Sequence, residues 1–148
     1  ISSGYGVGCR KITLSSDNSV REDYSNRNMK NHHGGVLLLR GHLYGYSDGR
    51  GWTCQNLRTG EVVWDSKKLG KGCITYADNR LYCMDEGSGT VVLASADTKG
   101  WKEHGRFKLE PQTELRKPSG RIWTHPVVSN EVLYLRDQEL LFAFDVKK

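Results

Sequence analysis

"VLLLRGHLYGYSDG" (36–49), "ITYADNRLYCMDEG" (74–87) and "PVVSNEVLYLRDQE" (126–139) align without a gap. Each opens on an apolar run, breaks at a polar turn and resumes at Leu-Tyr, as Leu43-Tyr44, Leu81-Tyr82 and Leu133-Tyr134. The turns are Arg40-Gly41-His42, Asp78-Asn79-Arg80 and Asn130-Glu131. Short apolar runs bounded by turn residues are the pattern of buried strands. Three copies of one strand–turn–strand unit predict an internal repeat built on hairpins.

The segments C-terminal to these hairpins recur as well. "GWTCQNLRTGEVVWDSKK" (51–68) and "GTVVLASADTKGWKEHGRFKLE" (89–110) each read as two β-rich runs around a glycine-containing turn. "LLFAFDVKK" (140–148) supplies a single run, and 6–26 reads as the last two strands of another unit. The repeat is therefore four short antiparallel strands. Leu-Tyr recurs after 38 and then 52 residues, the longer interval holding the polar insert "PQTELRKPSGR" (111–121). Four-strand units of about 40–45 residues predict an all-β fold of propeller blades, a partial ring of about three to three and a half blades. Blades are expected at 1–28 (incomplete), 29–68, 69–110 and 121–148 (incomplete), with 111–120 a surface insert. A β-sandwich does not predict the same hairpin in the same place three times. Ile1-Ser2-Ser3 reads as mid-strand, so the remaining blades are expected from a longer polypeptide or from a partner chain.

Charge and composition narrow the function classes. The net charge is +5, but the basic residues are dispersed, with pairs such as Lys67-Lys68 the longest runs, so no nucleic-acid interface is expected. No apolar run approaches the about 18–20 residues of a membrane helix, so no membrane insertion is expected. "ISSGYGVGCRK" carries no signal-peptide pattern. The four cysteines, Cys9, Cys54, Cys73 and Cys83, form no CxxC pair. A hairpin centred on Asp78 places Cys73 opposite Cys83, where the cross-strand spacing is wide for a relaxed disulfide and two buried thiols are the expected state.

"NLRTGEVVW" (56–64) resembles the repeat of pyrroloquinoline-quinone (PQQ)-type β-propellers through Thr59, Gly60 and Trp64, with Asn56 where that repeat has Asp. "FAFDVKK" (142–148) matches the first half of the same motif through Ala143 and Asp145. "NHHGG", "YGYSDGRGW", "GCITYADNRLYC", "WKEHGRF" and "WTHPVV" extend the likeness over nearly the whole chain, which is similar to the C-terminal portion of quinoprotein-like propellers of planctomycete-type bacteria. The resemblance implies a periplasmic or extracellular location, with Trp64, and Trp101 in the following unit, docking neighbouring blades. It also raises an enzyme reading, a quinone-dependent dehydrogenase with PQQ and calcium at the ring centre. The chain has neither the vicinal Cys-Cys nor the Asp-rich calcium loop of such enzymes.

The repeat alignment sets "HHGG", "GKGC" and "WTHP" at one position, the loop leading into the innermost strand. His32, His33, Lys71, Trp123, Thr124 and His125 are therefore candidate channel-lining or ligand-binding residues. No metal site is expected, because neighbouring side chains of an extended segment diverge. "GYSDGRGW" joins two strands, so it is a hairpin turn and not a phosphate cradle. No catalytic set can be placed. The leading expectation is a non-catalytic scaffold or binding module without a cofactor. A half-ring closed by self-association is a further alternative.

Overall fold

The computed structural model describes residues 1–147, and every regular element in it is a β-strand. Four antiparallel meanders succeed one another along the chain. Sheet I holds β1 (Ser2–Ser3), β2 (Gly8–Leu14) and β3 (Val20–Asn26). Sheet II holds β4 (Val36–Leu39), β5 (His42–Ser47), β6 (Gly51–Asn56) and β7 (Val62–Ser66). Sheet III holds β8 (Gly72–Ala77), β9 (Arg80–Asp85), β10 (Thr90–Ser95) and β11 (Glu103–Lys108). Sheet IV holds β12 (Val127–Ser129), β13 (Val132–Asp137) and β14 (Leu140–Asp145). No helix able to cross a membrane occurs among the described residues.

The three aligned segments form the same hairpin. Leu37 faces Tyr44, Thr75 faces Tyr82 and Val127 faces Tyr134. The turns hold two residues each, Arg40-Gly41, Asp78-Asn79 and Asn130-Glu131, and all six have positive φ. Two left-handed residues give a turn whose twist matches that of the flanking strands. This corrects the expected pairing of the cysteines. A two-residue turn centres the hairpin between Asp78 and Asn79, so Cys73 faces Met84 and Cys83 faces Ile74. All four thiols are free and buried.

Sheets II and III each pack one face on the opposite face of the next sheet. Sheet II presents the row Leu37, Tyr44, Cys54 and Trp64 to Ile74, Cys83 and Val92 of sheet III. Sheet III presents Tyr82, Met84, Val91 and Leu93 to Val128, Leu133, Leu135, Phe142 and Phe144 of sheet IV. The polarity is constant: the tyrosine-bearing face leads. β8 also touches both β4 and β12, so the first strands of three successive sheets neighbour one another.

The Thr59-Gly60 turn is organised by Asn56. Its side-chain oxygen accepts from the Arg58 and Thr59 amides, and Gly60 takes φ 76°. Trp64 then crosses the II/III seam and donates to the Asp97 carbonyl of sheet III at 2.9 Å. Trp101 does not dock the next seam. Its ring lies 5.8 Å from Trp52 and 6.3 Å from Trp64, back on the II/III seam. The β10–β11 loop is two residues longer than the β6–β7 loop, so Gly105, not a tryptophan, stands at the position in sheet III that Trp64 holds in sheet II. The III/IV seam uses Phe107 against Phe144 instead, with centroids 5.1 Å apart.

Candidate functional site

The turns that end β5 and β9 and the loops that lead into β4, β8 and β12 meet at one end of the molecule. In sheet III the hairpin ladder simply continues, and the Glu86 amide donates to the Lys71 carbonyl at 2.8 Å. In sheet II the equivalent amide, of Asp48, donates to the Lys30 carbonyl at 3.0 Å, and not to His33. Residues 31–33 are thus extra to the ladder and loop outward. Asn31 holds this excursion closed: its buried amide donates to the Gly35 carbonyl at 3.1 Å and the Tyr46 carbonyl at 3.0 Å. The three motifs are therefore neighbours but not equivalents, which corrects the gapless alignment beyond the hairpins.

The excursion carries His32 and His33 toward sheets III and IV. Because the segment bends instead of extending, the two rings do not diverge; their centroids are 4.5 Å apart. His32 meets Tyr5 at 4.6 Å, and His33 meets Trp123 edge-on at 5.5 Å. Four rings from three parts of the chain form one row. Lys71 Nζ lies 3.3 Å from His32 Nδ1 and 2.8 Å from the Asp48 carboxylate. His125 Nε2 sits 3.0 Å from the His33 carbonyl, and the Cys73 thiol donates to the Trp123 carbonyl at 3.4 Å. Of the six residues singled out in the sequence, five share these contacts. Thr124 stands apart: its hydroxyl donates to the Arg136 carbonyl and fixes the loop to sheet IV.

Glu86 completes the cluster. Its Oε2 lies 3.4 Å from His33 Nε2, yet Oε2 and His33 Nδ1 are both buried without a hydrogen-bond partner. Burial pushes the Glu86 carboxyl up from its ordinary value. Burial, helped by the charges of His32, Lys71 and His125, pushes His33 down. Both shifts favour the neutral forms. Asn31, Asp48, Glu86 and Tyr5 were missed in the sequence. Asp48 and Glu86 had a signal, since they occupy the same place in two of the aligned repeats, just after Ser47 and Asp85.

The cluster offers exposed aromatic faces and paired polar groups, and it lacks an activated nucleophile. Burial raises the Cys73 thiol to about 11, and Cys54 and Cys83 also rise. The Ser95 hydroxyl is 2.7 Å from His104 Nε2, but no carboxylate hydrogen-bonds His104 among the described residues. Catalytic triads orient their histidine through such a third group. Among the described residues no three His, Cys, Asp or Glu side chains are placed to hold a metal ion.

No protein-family model matches the chain, and no curated protein is significantly similar to it.

Proposed function

We propose that the chain is a section of a β-propeller of the quinoprotein-like repeat type, working as a non-catalytic scaffold or binding module in an extracytoplasmic complex. The observation that carries this reading is the constant polarity of sheet packing. A leading tyrosine face on a trailing face, repeated from sheet to sheet with first strands adjacent, is the arrangement that blades around an axis require. The row Tyr5, His32, His33 and Trp123 lies at the end where first-strand loops meet, which is where a ring opens its channel. Aromatic faces with a few placed polar groups suit ligand or partner contact.

The test is the mass of the native material, intact and as a peptide map, together with small-angle scattering. A polypeptide larger than the 16.7 kDa chain, or a complex with a compact ring-like scattering profile, is the expected result. A monodisperse 16.7 kDa monomer in native material would sink the reading.

A further inference from the structure

A second feature lies at the turn that joins β5 to β6. A polar cleft of about 360 Å³ is lined by Arg27, Lys30, Gly49, Arg50, Asp65 and Lys67. These come from four separate places: the end of sheet I, the link into sheet II, the β5–β6 turn and the end of β7. Four cations therefore face one carboxylate. That carboxylate is already engaged, since Arg50 Nη1 is 3.1 Å from Asp65 Oδ2. Arg50 Nη2 is in turn 3.4 Å from Asn28 Oδ1, so the guanidinium is held from two sides. The side chains of Arg27, Lys30 and Lys67 make neither an ion pair nor a hydrogen bond among the described residues.

Like charges gathered without partners repel, and a bound anion relieves that repulsion. The backbone leaves room for one. Gly49 takes φ 82°, a left-handed conformation that other residues avoid. A β-carbon built there would stand 3.6 Å from Lys30 Nζ and meet nothing else. The turn is anchored from behind: the Lys30 amide donates to the Ser47 hydroxyl at 3.0 Å, and the Asp48 amide donates to the Lys30 carbonyl. One guanidinium is thus held in place, with two ammonium groups and a second guanidinium around an open floor. Fixed forks with point charges recognise tetrahedral oxyanions.

We propose that this cleft is an anion site that takes a phosphate or sulfate group, free or as a monoester. It is separate from the aromatic row, and it does not depend on the propeller reading.

The test is calorimetric titration of the 148-residue chain with sodium phosphate at low ionic strength, alongside the amide shifts of Gly49, Arg50 and Gly51. The expected result is saturable binding that salt weakens, with shifts confined to these residues and their neighbours. Lys67→Glu, at an exposed position where folding is not at risk, should weaken binding by about tenfold or more, as should Lys30→Gln. Lys99→Ala, on the β10–β11 turn, should leave it unchanged. Glycerol phosphate and sulfate form the source arms: tighter binding of the ester assigns the site to a phosphomonoester, and equal binding assigns it to the free oxyanion. Chloride giving the same shifts at equal ionic strength, or phosphate binding unaffected by Lys67→Glu, would overturn the proposal.

Discussion

The β8–β9 and β12–β13 hairpins share turn and register, and they differ in what their second strands bury. In β9, Leu81, Tyr82, Cys83 and Met84 are all buried. In β13, Leu133 and Leu135 are buried while Tyr134 and Arg136 are exposed. Sheet III is covered on both faces, sheet IV on its trailing face alone. The sequences carry the difference. A strand buried on both sides reads as a continuous apolar run, and one buried on a single side alternates. Leu-Tyr-Cys-Met is the first kind and Leu-Tyr-Leu-Arg the second. One hairpin design thus serves two environments, and the face that leads each packing step is the face that changes.

The largest effect is expected where the leading face is covered most completely. Trp52, Val91 and Leu141 hold equivalent positions in sheets II, III and IV, opposite Tyr46, Met84 and Arg136. Trp52 is 1% exposed, its indole donates to the Gly70 carbonyl at 3.0 Å, and its ring meets Tyr46 and Trp101. Trp52→Ala should cost about 3–5 kcal/mol in denaturant unfolding. A cost below about 1 kcal/mol would mean that the II/III seam is not the centre of the core.

Next comes the direct contrast between sheets III and IV. Met84→Ala removes a fully buried side chain and should cost about 2–5 kcal/mol. Leu141→Ala, on the exposed leading face, should change stability by no more than about 0.5 kcal/mol. If Leu141→Ala instead costs more than about 1 kcal/mol, and the cost grows with protein concentration, the leading face of sheet IV is covered in solution by another sheet. That outcome would sharpen the comparison into an assembly interface.

Local chemistry decides which parts of the molecule were legible in the sequence. The three hairpins came from Leu-Tyr and the turn residues, because a two-residue left-handed turn sets the register of both strands. The Thr59-Gly60 turn was legible because a glycine there admits positive φ, and Trp64 because it stands at the end of a Thr-Gly-x-x-x-Trp spacing. The cysteine pairing was missed by one residue, since a turn centred on Asp78 and one centred between Asp78 and Asn79 look alike in sequence. The seam on which Trp101 docks was missed because the two extra residues of the β10–β11 loop carry it out of register with Trp64. In the candidate site, the histidines and Trp123 were found, but their contacts were not. The excursion at 31–33 depends on Asn31 hydrogen-bonding to the Gly35 and Tyr46 carbonyls, and the latter is a long-range contact that no residue pattern announces.

The smallest effect concerns that excursion, which joins the III/IV seam at its loop end through His33. Burial is the main cause that holds the His33 imidazole below its ordinary value of 6.5, with the positive charges of His32, Lys71 and His125 adding to it and Asp48 opposing. The folded chain therefore binds this proton less readily than the unfolded one. The stabilising contribution is fully present above 6.5 and is lost as the pH falls through the lowered folded value. Glu86, facing His33 at 3.4 Å, has the opposite sense: its raised carboxyl favours the fold below 4.5 and that contribution is lost as the pH rises through its folded value. Acidification from neutrality should thus loosen the 31–33 contact with sheet IV through His33, while Glu86 protonation acts in the other direction. The Trp123 indole resonance, beside the His33 ring, reports it. Its shift should titrate with a midpoint below 6.5. Lys71→Gln removes a cation and should move the midpoint up, while Asp48→Asn removes the opposing anion and should move it down. A midpoint above 6.5, or one indifferent to both variants, would mean that His33 is solvated in solution and that the loop does not bridge the two sheets.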